Sequence, residues 1–308
     1  MPTWNDILSE ITRSGSTHDV VRRSYLKKLV AKTKRNAIIY YSGWLQKASL
    51  YRANAWDFVL NDADKNGLMA TIYEMDRNKG LDIVLHTPGG DMAATESLVD
   101  YLRQMFGKDI RAIVPQIAMS GGTMIALACK EIVMGKHSNL GPIDPQSYGV
   151  PAHAIKEEFE RALREVQAAP HTAPIWQVIL SKYGPAQVSE SLKAITWADQ
   201  MVREWLKTGM FDGDQNADVK VDKIVQELGD HAITKSHSRH ISLKAAQNLG
   251  LNVISLEADQ ALQDAVLSVH HAAILTLNMT PAIKIIENDR GVAFINTIQQ
   301  VAIPSASP

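Results

Sequence analysis

A serine lies between two glycine-rich turns within a short stretch of this chain. The turns read HTPGGD at 86–91 and AMSGGT at 118–123, and Ser120 belongs to the second of them. A turn that leads from a strand into a helix exposes backbone N–H groups, because the first helical residues have no partner one turn earlier. Such groups can hold the oxyanion that forms when a serine attacks a carbonyl carbon. These residues therefore predict acyl transfer with Ser120 as the nucleophile.

The glycines of the two turns are the residues that this chemistry needs. Glycine lets the backbone approach a ligand closely and adopt a positive φ. We expect the oxyanion to be held by N–H groups from both turns, Gly89 or Gly90 from the first and Gly121 from the second. A structural interpretation of Ser120 also stays open, because serine is a preferred helix N-cap and Ser-Gly-Gly is common in loops.

Each glycine turn follows a short apolar run that predicts a buried strand. Runs of this kind, with β-branched members, are typical of strands covered on both faces. The sequence after the first turn has apolar residues at helical spacing, among them Leu98, Leu102 and Met105. The predicted strands are 37–42, 81–85, 110–114 and 131–134, and a buried helix is predicted to start near Met124. Two strand-turn-helix units therefore position the serine and the glycines.

Three motifs in a fixed order carry a family resemblance. LHTPGGD, VPQIAMSGGTMIALAC and SNLGPIDPQ together resemble the serine dehydrogenase proteinase family, which is related to signal peptide peptidase A and more distantly to the Clp protease and crotonase superfamily. The resemblance is closest over roughly residues 36–160. It implies an α/β fold, a repeated strand-strand-helix spiral with a mostly helical C-terminal extension. It also implies that Ser120 is the nucleophile and that the PGG turn contributes to the oxyanion hole.

The general base is less clearly marked than the nucleophile. In peptidases similar to signal peptide peptidase A the base is a lysine, whereas in Clp-like peptidases it is a histidine downstream of the serine. Here the corresponding region reads GPIDP and has Asp144 but no histidine, so a Ser-Lys dyad fits better. The leading candidate is Lys156, although a solvated helix face with a Lys156–Glu160 pair is the other interpretation. His237 and His240 are alternative bases, because histidine titrates near neutrality.

The remaining titratable residues give no sign of a metal or cofactor site. The chain has no HExxH motif, no paired cysteines, no DxDxDG calcium loop, no P-loop and no GxGxxG. We therefore predict no metal and no cofactor. The single cysteine, Cys129, is expected to pack as a small hydrophobic residue, and His86 is expected to order the loop before the PGG turn.

Composition favours a globular enzyme rather than a nucleic-acid-binding or membrane-spanning protein. The chain has 308 residues, 45% of them hydrophobic, and a formal net charge of −1, which argues against nucleic acid as the main partner. No apolar run reaches the roughly 18 residues of a membrane span, and the N-terminus lacks the pattern of a secretory signal. These features predict a cytoplasmic protein. The predicted regions are a helical N-terminal arm at 1–35, a catalytic core at 36–150 and a mostly helical region at 151–308 that completes the site and oligomer contacts.

The predicted function is hydrolysis of peptide bonds by a Ser-Lys dyad through an acyl-enzyme, with a peptide or unfolded protein as substrate. The resemblance also implies a homo-oligomer. Two other classes stay open at this point. One is a crotonase-like enzyme acting on an acyl-thioester, because the same oxyanion hole can stabilise an enolate. The other is a non-catalytic assembly or adaptor protein that has the fold without a working base.

Overall fold

The computed structural model describes residues 3–14, 18–147, 149–229, 236 and 238–298. Its twelve strands are β1 (Asn36–Ser42), β2 (Leu81–His86), β3 (Ile110–Val114), β4 (Ile117–Ala118), β5 (Glu131–Met134), β6 (Asn139–Leu140), β7 (Gln146–Ser147), β8 (Val150–Pro151), β9 (Ile241–Ser242), β10 (Val253–Ser255), β11 (Ala282–Asn288) and β12 (Ala293–Thr297). His237 lies outside the described residues.

The described α-helices occur before, between and after the strands. They are α1 (Trp4–Ser14), α2 (His18–Thr33), α3 (Ala48–Ala53), α4 (Asp64–Ile72), α5 (Met92–Phe106), α6 (Gly121–Leu127), α7 (Ala152–Ala168), α8 (Ala173–Leu180), α9 (Gln187–Thr208), α10 (Ala217–Gly229), α11 (Leu243–Leu249) and α12 (Gln260–Met279). Short 3-10 turns lie at Ala55–Asp57, Arg77–Lys79, Pro170–Thr172 and Leu256–Ala258. Within the described ranges, no helix combines the length and the apolar character needed to cross a membrane.

A seven-stranded sheet with the order β10-β5-β3-β2-β1-β11-β12 forms the centre of the molecule. The five strands from β10 to β1 are parallel, and β11 and β12 add antiparallel partners at one side. Every residue of β1 and β2 is buried, as expected for parallel strands covered on both faces. The strands predicted at 37–42, 81–85, 110–114 and 131–134 are confirmed.

Helices cover both faces of the sheet because alternate strand residues point to opposite sides. Along β1, Ile38 and Tyr40 belong to a core with helices α5, α6, α9 and α10, whereas Ile39 and Tyr41 belong to a second core with α1, α2 and α12. The result is a three-layer α/β architecture. The region after residue 151 is helical for most of its length, yet it also supplies β10, β11 and β12 to the central sheet.

A small second sheet brings the two glycine turns side by side. Its order is β4-β6-β9, and β4 comes directly before Ser120. An isolated bridge joins Thr87 to Ala118, and the Met119 N–H donates to the Thr87 carbonyl at 3.0 Å. The chain after β2 therefore runs alongside the chain that leads to the serine.

Candidate active site

Ser120 has a backbone conformation that serine rarely adopts. Its φ is 48° and its ψ is −118°, values typical of the first central residue of a type II′ turn, where glycine is favoured. A hydrogen bond of 2.8 Å from the Gly122 N–H to the Met119 carbonyl closes that turn. Ser120 does occupy the N-cap position of α6, but across the described residues its side chain makes no capping hydrogen bond. The half-buried hydroxyl is left available for another role.

Close approach of the two turns explains why glycines occur in both. A Cβ atom on Gly89, which has a φ of 91°, would lie 2.6 Å from the Met119 carbonyl oxygen and 2.6 Å from the Ser120 Cβ. A Cβ on Gly122 would lie 2.4 Å from the Thr87 Cγ2. Real Cβ atoms do not come this close to other heavy atoms, so any larger residue would push the turns apart.

Two backbone N–H groups beside Ser120 are free to hold an oxyanion. In the part of the chain that the structure describes, the N–H groups of Gly90 and Gly121 have no hydrogen-bond acceptor. They are close to each other, since a Cβ on Gly121 would lie 3.4 Å from the Gly90 nitrogen. The Gly89 N–H, in contrast, donates to the Thr87 Oγ1 at 3.1 Å. Among the described residues, Gly90 and Gly121 therefore supply the unpaired N–H donors, whereas Gly89 forms the tight turn.

A cavity of about 270 Å³ opens beside Ser120 and is lined mainly by apolar side chains. Met92 and Met124 come from the helices that follow the two turns, and Ile143 comes from the GPIDP loop. Trp197 of α9 completes the wall, and its Nε1–H donates to the Glu96 Oε1 at 3.1 Å. This cavity suits an apolar side chain of a substrate bound at Ser120.

Lys156 lines a different cavity from Ser120. Its side chain on α7 is 42% exposed, and its Nζ lies 3.9 Å from the Glu160 Oε1, which is the surface pair that the helical spacing suggested. The cavity that it lines, of about 480 Å³, is polar and also contains Asp199. The start of α7 is nevertheless attached to the serine site, because the Ala152 N–H donates to the Pro145 carbonyl at 2.9 Å and Pro145 lines the Ser120 cavity.

The alternative base His240 is exposed and lines a third cavity, of about 420 Å³. Pro88 and Met119, the residues next to Gly89 and Ser120, lie in the same cavity. His240 is thus close to the serine turn without lining the cavity beside Ser120.

His86 is fully buried, although it comes just before the PGG turn. Its ring packs 4.5 Å from the Trp44 ring and 5.4 Å from the Tyr41 ring, measured between centroids. Burial lowers the pKa of His86 to about 3, so the imidazole is neutral at physiological pH. Among the described side chains, neither ring nitrogen has a hydrogen-bond partner. His86 therefore packs beneath the turn and does not line the Ser120 cavity.

Cys129 is buried in the core behind α6, and its thiol donates to the Ile125 carbonyl. Burial raises the pKa of this thiol to about 12, which keeps it protonated and unreactive. Over the ranges that the structure describes, no group of three or more histidine, cysteine, aspartate or glutamate residues could hold a metal ion.

Fold and site together define a ClpP-like α/β protein with a serine at the N-terminus of a buried helix and backbone donors beside it. The family model of the ClpP-like SDH-type serine proteinases matches residues 16–263. The chain belongs to this family. The family and the mixed α/β, ClpP-like fold expected from the motifs are thereby confirmed.

Two proteins of the archaeon Methanocaldococcus jannaschii, both described as uncharacterized, are similar to this chain. One is 31% identical over 190 residues, which are 62% of this chain and 57% of the relative. The other is 30% identical over 152 residues, which are 43% of this chain and 51% of the relative. The matches thus span little more than half the length of these curated relatives.

Proposed function

We propose that this protein is a serine peptidase in which Ser120 attacks a peptide carbonyl and forms an acyl-enzyme. The observation that supports this most directly is the backbone of Ser120, a positive-φ serine beside the N–H groups of Gly90 and Gly121, which have no acceptor within the described ranges. In the reaction, the Ser120 Oγ bonds to the carbonyl carbon while these two groups donate to the developing oxyanion. The C–N bond then breaks as the base returns the serine proton to the departing amine, and water attacks the ester to release the acid and restore the Ser120 hydroxyl.

The substrate that this site favours is an extended peptide with an apolar side chain next to the scissile bond. Met92, Met124 and Trp197 line the cavity that would receive this side chain. The peptide backbone would pair with a strand edge near the glycine turns, which gives affinity independent of sequence. Unfolded protein meets both requirements. Assembly into a homo-oligomer is part of the same proposal.

Lys156 is the proposed general base. It comes four positions after Ala152, a distance of about 6 Å along the helix, and Ala152 is hydrogen-bonded to the wall of the Ser120 cavity. For Lys156 to take the serine proton, α7 has to move towards Ser120 when substrate binds, and the Glu160 pair has to open.

A fluorophosphonate probe tests the nucleophile and the base separately. We expect the probe to label wild-type protein on Ser120, as located by mass spectrometry, and to leave Ser120→Ala unlabelled. If Lys156 is the base, Lys156→Ala loses labelling at neutral pH and keeps its fold, because the side chain is 42% exposed and its pair with Glu160 lies at the surface. Lys193→Ala is the matched control, since Lys193 is also an exposed helical lysine paired with a glutamate, Glu190.

Other results would redirect the assignment. Labelling that persists in Lys156→Ala but is lost in His240→Ala or His237→Ala would assign the base to histidine. A folded protein that is never labelled on Ser120 would contradict the peptidase proposal. Turnover of an acyl-thioester by such a protein would favour the crotonase-like class, and inactivity in both assays would favour an assembly or adaptor protein.

A further inference from the structure

A lysine and an aspartate form a fully buried ion pair close to the PGG turn. Lys284 of β11 and Asp64 at the start of α4 are both inaccessible to solvent, and the Lys284 Nζ lies 2.7 Å from the Asp64 Oδ1. The two residues are 220 positions apart in the chain. A buried ion pair often stabilises a fold no better than apolar residues of similar volume, so its presence calls for a more specific reason.

The ion pair holds the chain on both sides of Leu60. The Lys284 Nζ donates to the Val59 carbonyl at 2.8 Å, and the Asn61 N–H donates to the Asp64 Oδ2 at 3.1 Å. The same carboxylate oxygen accepts from the Tyr40 hydroxyl at 2.6 Å. Burial lowers the pKa of Lys284, and the Asp64 carboxylate opposes that shift. Together these contacts fix the backbone of residues 59–61.

Leu60 in turn holds the PGG turn on both sides of Gly90. The Leu60 N–H donates to the Gly89 carbonyl at 2.8 Å, and the Asp91 N–H donates to the Leu60 carbonyl at 2.9 Å. The approach is so close that a Cβ on Gly90 would lie 2.3 Å from the Leu60 nitrogen and oxygen. Because the groups on either side of it are bonded to Leu60, the Gly90 N–H has one fixed direction, and it has no acceptor among the described residues.

We propose that Lys284 and Asp64 are positioning residues for the oxyanion hole, acting through residues 59–61 to aim the Gly90 N–H at the reacting carbonyl oxygen. This inference rests on the proposed serine peptidase function. A preorganised donor acts mainly on the transition state, where negative charge develops on that oxygen. Loss of the ion pair should therefore slow the chemical step and leave binding nearly unchanged.

Asp64→Asn is the direct test because one amide cannot replace the carboxylate. Asp64 accepts hydrogen bonds from three donors, Lys284 on one oxygen and Tyr40 and Asn61 on the other. Either orientation of the amide turns its NH₂ group towards at least one of these donors. The matched control is Glu287→Gln on the same strand. Glu287 is equally buried and paired with Arg22 and Arg23, and among the described residues its side chain bonds neither to the PGG turn nor to residues 59–61.

The assay is the rate of Ser120 labelling as a function of fluorophosphonate concentration, which separates the maximal inactivation rate from the probe's apparent binding constant. Full loss of one oxyanion donor lowers the rate of the chemical step by about 100-fold to 1000-fold. For a misdirected donor we expect a decrease of about 10-fold to 100-fold in Asp64→Asn, with the binding constant changed by less than about threefold. Glu287→Gln should keep the wild-type rate.

A second variant and a second measurement keep the test valid if Asp64→Asn does not fold. Should Asp64→Asn not fold, the double variant Asp64→Leu, Lys284→Met replaces both charges with apolar groups, a change that buried ion pairs tolerate. The double variant should therefore fold. Its maximal labelling rate should still be low, because it lacks the bonds to residues 59 and 61. Hydrogen exchange of the peptide covering 86–95 should be faster in either variant than in Glu287→Gln.

The outcomes separate this inference from the proposed function. Labelled wild-type protein together with an unchanged maximal rate in the folded Asp64 variant would overturn the positioning role alone. A weaker binding constant with an unchanged maximal rate would also overturn it. Absence of Ser120 labelling in wild-type protein would overturn the peptidase proposal and this inference with it.

Discussion

Replacing Ser120 with glycine should abolish labelling by fluorophosphonate and at the same time stabilise the protein. The side chain carries the proposed nucleophile, so its removal ends acyl transfer. The backbone gives the second effect, because a φ of 48° with a ψ of −118° is a conformation in which a Cβ atom is strained and glycine is not.

The expected stabilisation follows from two opposing terms. Residues held in sparsely populated backbone regions cost about 1–3 kcal/mol, which glycine would recover. Glycine also makes the unfolded chain more flexible, which costs about 0.5–1 kcal/mol. The difference is a net gain of about 1 kcal/mol in the free energy of unfolding. For a chain of 308 residues this raises Tm by about 1–2 °C, because the unfolding entropy grows with chain length.

Differential scanning calorimetry of Ser120→Gly beside Ser120→Ala measures this gain. Alanine removes the same hydroxyl but keeps the Cβ, so Ser120→Ala should gain little. Ala186→Gly is a second control, since Ala186 is an exposed residue with a φ of 64° far from the glycine turns in sequence and should show a similar gain. If Ser120→Gly is no more stable than Ser120→Ala while Ala186→Gly is stabilised, the strain assigned to Ser120 is refuted.

Three further predictions concern residues around the site. Asp91→Ala should lower the free energy of unfolding by about 1 kcal/mol in a urea titration, because Asp91 caps α5 through the Ala94 N–H at 2.8 Å; no loss would contradict the cap. Cys129 should resist a thiol reagent at pH 8 until the protein is unfolded, since its pKa is raised to about 12; rapid modification of native protein would contradict its burial. His86 has a folded pKa of about 3 against an ordinary value of 6.5, so only the unfolded state binds its proton as pH falls below 6.5. Its contribution should lower stability by about 1.4 kcal/mol between pH 7.5 and pH 5.5, and His86→Phe should remove that part of the pH dependence.

The local features of the site could be predicted from the sequence, because each depends on residues close together in the chain. The strands before the two turns, the helix at α6 and the place of Ser120 all follow from apolar runs that end in glycine. The run AIKIIEN at 282–288 is β-branched and mostly apolar, and it could have indicated β11. Its charged members, Lys284 and Glu287, made that strand hard to predict, because their buried partners are distant in sequence.

The other features of the site depend on contacts between residues that are far apart in the chain. Such contacts leave no recognisable pattern in the sequence near either residue. Nothing near Leu60 in the sequence marks it as the residue that pairs with the PGG turn, and nothing in α9 marks Trp197 as a wall of the serine cavity. The Gly89 N–H also has no local signal for its partner. The motif made it a candidate oxyanion donor, but in the structure it donates to the Thr87 Oγ1. These pairings depend on which segments the sheet order places side by side.

The two glycine turns have features that lower the stability of the folded state, and this argues for catalysis over a purely structural role. A structural connection between β4 and α6 would be more stable with a glycine in place of Ser120 and with the N–H groups of Gly90 and Gly121 bonded to the protein. The fold instead has a strained serine and two unpaired donors within the described residues, and it fixes one donor through residues 59–61. Free donors and a strained backbone both destabilise the folded state, and both are useful when an oxyanion forms next to the Ser120 hydroxyl. An adaptor protein would have no such use for them.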